Sequence, residues 1–373
     1  MTWMAGSNKR WTTGGGMVAT LRPAGDGQQL GDLWRRVEAE ADGSVFQSWL
    51  WLGCRFDERF RRALVLTIEA EGRIVAIGLL GHGQRRFGLS QYCLAETGVA
   101  DEDNVFIEHN GPLVVRDRPA ARAAWFEAAL RPHAGLGSML RLSGVGPDDA
   151  AAAQRAGVTD GGMQRVAPWR DLARLRATGA DCLDLVSANT RQQINRAWRR
   201  YEVSGPIIVA RAATVGQADA WLAALADWHR QTWEARGKAG AFAARGFERF
   251  HTALVARGVA CGVVDVLRVA AGARVIGYLY NFVWRGRVSA YQSGFAYNPA
   301  QPHEKPGLVC HVAAMRHYQA RGLDGYDFLA GDDRYKTSLA DRSVTMHWIT
   351  AAPRWSMAAA ILATRARIAR WRG

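Results

Sequence analysis

The sequence predicts an α/β (α+β) protein in which one domain plan occurs twice, each copy a mixed, mostly antiparallel sheet flanked by helices. Three observations carry this. The chain has 373 residues, more than one ordinary core holds and enough for two domains of roughly 150–180 residues. Short apolar runs of period two alternate with longer runs of helical period. The second half reads β, α, α, β, β, β, α, β, α, β, and the first half has nearly the same order without visible sequence repetition. The expected division is a first domain over 17–180, a second over 181–352, and a basic C-terminal helix over 353–373.

The elements follow in order. "MTWMAGSNKRWTTGGGM" has no apolar h-region and reads as a frayed lead-in. "MVATLRP" (17–23) is a strand, "LGDLWRRVEAEA" a helix, and "VFQSWLWLGCRFDERF" (45–60) a second helix with aromatic anchors. "RALVLTIEA" and "GRIVAIGLLGHG" form a hairpin about Glu71-Gly72. "DNVFIEHNGPLVV" is extended, "RAAWFEAAL" helical, "SMLRLSGV" a strand, "PDDAAAAQRAG" a short helix with Pro147 near its start, and "MQRVAPWRDL" a strand. The helix of "SANTRQQINRAWRRYEVSG" (187–205) joins the halves, with Ser187 or Asn189 as cap and Gly205 as stop.

In the second half, "GPIIVARA" is a strand, and 215–237 and "GFERFHTALVARG" are helices. Residues 262–295 hold three strands with tight turns at Ala271-Gly272 and Arg285-Gly286. "KPGLVCHVAAMRHYQARG" (305–322) is a helix with Pro306 in its first turn. "GYDFLAG", a short helix from Arg334, and "SVTMHWITA" complete the plan. The tail alternates apolar and basic residues at helical spacing, as a helix packed back on its domain or one lying on a membrane surface.

Composition narrows the class. Hydrophobic residues make up 49% and charged residues 22%, a globular balance, and no apolar run reaches the ~18 residues of a membrane span. Five scattered cysteines argue against a disulfide framework and against zinc, and place the chain in a reducing cytoplasm. The net charge of +14 fits a polyanion partner or a genomic arginine bias. There are 44 Arg and four Lys: Lys9, Lys238, Lys305 and Lys336. Against such a bias a retained lysine marks a place where a compact ammonium is needed.

The chemistry-bearing residues gather where apolar runs end. "FLAGDDRYKTSLA" (328–340) breaks from a core strand at Gly331 into Asp332, Asp333, Tyr335 and Lys336. Ligands of split α/β sheets sit beyond the carboxyl ends of diverging strands. In "AYQSGF", Gln292 and Ser293 interrupt the alternation after Tyr291, which suggests a bulge or splay that frees backbone N–H groups. Such groups beside the Lys336 ammonium suit the developing oxyanion of an acyl transfer; the alternative is an Asp333 cap with a Lys336 ion pair. Lys305, Gly307 and His311 open a helix whose N-terminus suits a phosphate or carboxylate. His229 and Trp233, four apart, are either a core pair or a general base over a substrate platform. Arg191, Arg196, Arg199 and Arg200 make a basic face, solvated or anion-binding. No Ser-His-Asp order, Walker loop, HExxH or CxxC occurs, so transfer would proceed by direct attack of a bound amine or hydroxyl, without metal.

Residues 185–350 resemble the CelD-type acetyltransferases, a branch of the GNAT superfamily, similar in turn to the Fem-type aminoacyl-tRNA-dependent peptidyltransferases with two tandem GNAT-like domains. The matching pieces are "NTRQQINRAWRRYEVSG", "WHRQTWEARGKAGAF", "FERFH", "IGYLYNF", "YQSGF", "KPGLVCH" and "YDFLAGDDRYKTSLA"; "FQSWLW" and "FIEHNGPL" extend the likeness more loosely. The resemblance implies an acetyl-CoA or other acyl-CoA donor. It implies an acceptor amine or hydroxyl on a sugar, a polysaccharide precursor or a small metabolite. Tyr335-Lys336 stand where Fem-type enzymes carry an aromatic-Lys pair at the transfer site. Tyr291, Gln292, Ser293, Trp233 and Arg191 become substrate-binding candidates, and Lys305, Gly307 and His311 donor-binding ones. Where GNAT enzymes carry a Q/R-x-x-G-x-G/A loop this chain has "HEKPGLV". That departure keeps open an aminoacyl-tRNA donor, and a non-catalytic scaffold of exopolysaccharide synthesis.

Overall fold

Each apolar run of period two pairs through its backbone with the next, and the tight turns between them fix a meander. The computed structural model describes residues 8–86, 89–131, 139–331 and 333–372. They divide into two units, one comprising residues up to Gln164 together with Thr345 onward, the other Arg165–Val344.

In the first unit the strands are β1 (Lys9–Thr12), β2 (Val18–Pro23), β3 (Leu64–Ala70), β4 (Arg73–Arg86), β5 (Leu89–Leu94), β6 (Leu113–Val114), β7 (Met139–Val145) and β8 (Gly157–Thr159). Its helices are α1 (Gly27–Glu40), α2 (Trp49–Leu52), α3 (Phe56–Arg59), α4 (Ala100–Asp103), α5 (Ala121–Ala129) and α6 (Pro147–Ala156). Neighbouring strands from β1 to β5 pair antiparallel, β5 and β7 pair parallel, and β6 pairs β4. The β3–β4 turn is the expected Glu71-Gly72, both with positive φ (52° and 75°), the twist a two-residue hairpin needs.

Two expectations are corrected here. The lead-in is partly a strand, β1, paired with β2. The segment 45–60 is not one helix but a 3-10 turn at Val45–Gln47 followed by α2 and α3. Gly53 lies so close to Trp49 that a Cβ would meet its carbonyl at 2.6 Å, and Arg55 turns left-handed at φ 52°, which ends the helical run.

The second unit holds β9 (Met163–Asp171), α7 (Leu172–Thr178), α8 (Ala188–Glu202), β10 (Ile207–Arg211), α9 (Val215–Glu234), α10 (Arg245–Gly258), β11 (Val264–Ala271), β12 (Arg274–Trp284), β13 (Arg287–Phe295), α11 (Pro306–Ala320), β14 (Gly325–Asp327) and α12 (Arg334–Leu339). Ser187 caps α8 by accepting from the Thr190 N–H. The sheet order is β10-β11-β12-β13-β14-β9, parallel only between β13 and β14. Side chains alternate across it. Tyr278 and Tyr280 meet Trp228 of α9 and His251 of α10, whereas Leu267, Val269 and Leu279 join a core with Ile194 of α8 and Val309 and Val312 of α11. Helices α9 and α10 therefore cover one face, and α8 and α11 the other.

After α12 come β15 (Arg342–Pro353) and α13 (Met357–Arg372). β15 pairs antiparallel with β7 and β8 of the first unit, and α13 packs there through Ala358, Ala359 and Leu362. Conversely β9, from the first half of the sequence, pairs with β14 and brings Leu172 and Leu175 of α7 into the second core. Both units thus repeat one strand plan: an antiparallel meander, a parallel crossover through a helix, and a final antiparallel strand from the other half of the chain. The expected boundary at 180/181 consequently falls inside the second unit, because β9 finds its hydrogen-bond partner only there.

Buried Ile349 of β15 tests this exchange. Ile349→Ala, a cavity typically costing about 2–5 kcal/mol, should accelerate amide hydrogen exchange in β7 and β8 and leave β11–β13 protected. Equal acceleration in both units would refute it.

Candidate active site

The parallel pair in the second unit is short. β13 and β14 are in register only at Arg287/Gly325, Val288/Tyr326 and Ser289/Asp327. β14 then stops, while β13 runs on to Phe295 against β12. A slot opens between Tyr291–Phe295 on one side and Phe328–Gly331 on the other.

Side chains hold each bank of this slot. On the β13 bank the register with β12 slips between Tyr280 and Asn281, so that Tyr291 is an extra residue between Ala290 and Gln292. This is the expected bulge, one position before Gln292. The Tyr291 hydroxyl lies 3.2 Å from His251 Nε2 and that of Tyr280 3.1 Å from Nδ1, so one buried imidazole ties both tyrosines. Two residues on, the Ser293 carbonyl lies 3.2 Å from His229 Nδ1, and His229 Nε2 accepts from the Ala241 N–H at 3.3 Å. This arrangement assigns the His229 ring proton to Nδ1. Gly294 admits α9 here, since a Cβ would meet the Leu225 carbonyl at 2.3 Å.

On the β14 bank the Asp327 carboxylate accepts from the Leu329 N–H at 2.7 Å. The Phe328 and Gly331 N–H groups donate to Pro168 and Val166 of β9. Leu329 and Gly331 take positive φ (60° and 143°) to make the exit. The Lys336 ammonium, on a residue only 8% exposed, donates to the Leu329 carbonyl at 3.3 Å and the Ala330 carbonyl at 2.8 Å. It sits against Gly331, whose Cβ, were there one, would lie 2.9 Å from Nζ.

Across the mouth stands the N-terminus of α11. Lys305 enters it in the left-handed region (φ 45°, ψ 52°), and no side chain caps the first turn. Gly307 leaves room there: a Cβ would approach the Tyr297 hydroxyl at 3.2 Å. His311 follows inside the helix, 2% exposed, with Nδ1 2.9 Å from the Tyr326 hydroxyl and Nε2 buried without a hydrogen-bond partner. Its ring stacks on Tyr335 at 5.1 Å. Burial, aided by the Lys336 charge, pulls the imidazole down to about 3, so it is neutral at working pH. Burial also raises the Tyr335 phenol, Asp333 and Tyr297 adding to the rise and Arg236 opposing it.

Lys336, Tyr335, Gly307 and His311 therefore gather at one slot, with Gln292 and Ser293 on its far bank and Lys305 exposed at the start of α11. Others have different places. Asp333 is the N-cap residue of α12 but makes no side-chain cap bond. His229 has both ring nitrogens engaged with backbone, which leaves no lone pair for a substrate proton and corrects its expected role as base. Tyr291 points into a cluster with Phe247, His251 and Phe282. The Arg191 guanidinium donates to the carbonyls of Leu183, Asp184 and Val186 and thereby holds the turn before α8. Asp332 lies outside the described residues. Tyr297 and Arg236 were missed: one follows the strand in a loop, the other trails a helix, and neither position has a periodicity to mark it.

The first unit has the matching parallel pair, β5 with β7, but its own chain fills the gap. Asn110 bridges to Val145 in parallel, and its amide donates to the Leu94 and Ser143 carbonyls at 3.0 and 3.1 Å. Glu96 and Asp103 bind Arg141 beside it.

Comparison with known proteins identifies the domain that contains the slot. Residues 188–337 match the family model described as an acetyltransferase (GNAT) domain, so the chain carries an acyltransferase domain whose span contains the slot. No curated protein matches the sequence. Among solved structures, the C-terminal domain of a putative lysylphosphatidylglycerol synthetase from Agrobacterium fabrum is similar, at 10% identity and TM-score 0.54, over 91% of this chain and 96% of that one. A structure titled FemX is similar at 11% identity and TM-score 0.56, over 87% and 95%. At such identities these likenesses establish the fold.

Two measurements test the site's construction. Lys336→Ala removes the ammonium that bonds the buried Leu329 carbonyl and the half-buried Ala330 carbonyl, so a loss of about 1–3 kcal/mol in denaturant unfolding is expected; unchanged stability would free Lys336 from this role. For His311 the folded-state value lies below the unfolded one of ~6.5, so the unfolded chain takes the proton first. Stability is retained above pH 6.5 and falls toward pH 3, by roughly 1.4 kcal/mol per unit. Glu96 and Asp149, both raised to about 7 by burial, act in the opposite sense. The difference curve between wild type and His311→Gln is therefore the quantity to measure, and a flat one would contradict the burial of a neutral imidazole.

Proposed function

We propose that this acyltransferase domain moves an acyl group from acyl-CoA to an amine or hydroxyl of a sugar, a polysaccharide precursor or a small metabolite, at the slot between β13 and β14. The observation that carries the reading is the parting of these two strands beside an uncapped helix N-terminus. The bound acyl-CoA would supply a thioester already activated toward attack. The α11 N–H groups, with Lys305 and the space over Gly307, suit its phosphates. The slot edge at Gln292–Ser293 suits an extended thiol arm alongside a strand.

The chemistry is a direct displacement. A C–N or C–O bond forms as the C–S bond breaks, the acceptor's proton passes to solvent, and the leaving thiolate takes a proton. Tyr335 is suited to give that proton: its phenol is held neutral by burial and stands at the mouth, braced by the His311 ring. Lys336 organises the exit turn from beneath and adds positive potential where the oxyanion develops. A CelD-type assignment fits this reading.

A second reading, an aminoacyl-tRNA donor, is favoured by one feature. A hollow of about 650 Å³ on the solvent face of α8 is lined by Gln192, Asn195, Arg196, Arg199 and Arg200, a surface suited to a phosphate backbone. Calorimetry with acetyl-CoA and with charged tRNA at two salt concentrations separates the two. Acetyl-CoA binding with modest salt dependence supports the first reading; tRNA binding with steep dependence replaces it.

Tyr335→Phe preserves the stacking and removes the proton. Turnover should drop about 100-fold or more at an unchanged melting temperature; full activity would remove Tyr335 from the chemistry. Lys305→Ala should raise the donor KM and leave kcat near wild type, and an unchanged KM would show Lys305 to be only a surface charge.

A further inference from the structure

The carboxyl end of α9 places two cations on one indole. The Arg236 guanidinium lies 5.6 Å and the Lys238 ammonium 5.7 Å from the Trp233 ring. Both are exposed, and neither is ion-paired with an acid among the described residues. A helix C-terminus favours positive charge, and an aromatic face favours a cation. Neither effect needs two at once, because like charges repel. The dipole also does not call for lysine in a chain with 44 Arg and four Lys. A guanidinium and an ammonium gathered at one ring make a positive corner that suits an anion.

The position is tied to the slot. Trp233 packs on His229 at 5.7 Å, and His229 holds the Ser293 carbonyl on the slot's bank. Gly240 closes the same corner, where a Cβ would come 3.0 Å from Trp233 and 3.1 Å from His229 Nε2. The charge of Arg236 is also felt by the Tyr297 and Tyr335 hydroxyls at the mouth. Trp233 belongs to α9, on the sheet face opposite α11. A nucleophile must reach the acyl carbon from a side the donor leaves open, and the donor's phosphates have the α11 terminus.

We propose that Arg236 and Lys238, carried on Trp233, bind an anionic group, phosphate or carboxylate, of the acyl acceptor. This rests on the acyl-transfer reading of the slot and narrows its acceptor to an anionic amine or alcohol.

The test uses inorganic pyrophosphate as the anion probe, titrated by calorimetry in a Lys305→Ala background that removes the Lys305 ammonium, the α11 N–H groups being common to every form compared. Adding Arg236→Ala with Lys238→Ala should weaken pyrophosphate at least tenfold. The charge-keeping exchange Arg236→Lys with Lys238→Arg should retain most of the binding, and both should melt like their parent because the residues are exposed. Acetyl-CoA, titrated with the same pairs in an otherwise wild-type chain, should bind within twofold of wild type. Pyrophosphate that fails to bind the parent, or binds both forms equally, overturns the site. A parallel loss of acetyl-CoA affinity assigns the anion to the donor and overturns the acceptor assignment. If acetyl-CoA binds no form, the acyl-CoA reading fails by itself, while the pyrophosphate arm still decides whether an anion site exists.

Discussion

The second unit is organised around a parallel strand pair that stops after three positions. Ending it early leaves strand backbone without a neighbour, and buried backbone polar groups must be satisfied somehow. Side chains do this on both banks. His229 takes the Ser293 carbonyl, Asp327 takes the Leu329 N–H, and Lys336 takes the carbonyls of Leu329 and Ala330. These bonds let the strands stay apart without collapsing onto each other. Several of the residues that look most chemical in the sequence therefore maintain the opening as a first duty.

The first unit shows the other solution to the same topological problem. Its parallel pair also parts, but Asn110 supplies the missing ladder bonds to Leu94 and Ser143, and Glu96, Asp103 and Arg141 pack beside it. There the chain itself occupies the gap among the described residues. One fold plan used twice thus yields one candidate slot, and the difference lies in loop residues rather than in the strands.

Charge is distributed by burial rather than by count. Asp265, fully buried, holds both Arg211 and Arg321, and fully buried Arg170 donates to the Leu339 carbonyl near Asp341. Removing one member of such a set would strand its partner in a medium that solvates charge poorly. The exposed arginines of α8 carry no such load. Such pairs cancel in the net charge, so the +14 excess belongs to cations without an acidic partner, and it is this excess that a partner would meet.

By itself the sequence determined the strands and helices whose periodicity is long and clear: the β3–β4 hairpin, the β11–β13 meander, α8, α9 and α11. It also determined that the apolar run breaking at Gly331 opens onto Tyr335 and Lys336, since an apolar run broken by glycine and charge has few other places to go, although the strand itself stops at Asp327. Local pattern misled at 45–60, where aromatic spacing mimics a helix that Gly53 and Arg55 interrupt. Only the tertiary structure decided that β9 and β15 complete each other's units, because strand pairing depends on which edge is vacant and no local pattern records that. Only it decided that His229 clamps rather than titrates, that Tyr291 faces the aromatic cluster, and that Arg191 holds a turn. A side chain's role follows from which donors and acceptors lie within about 3 Å of it, and those neighbours come from residues tens of positions away in the chain.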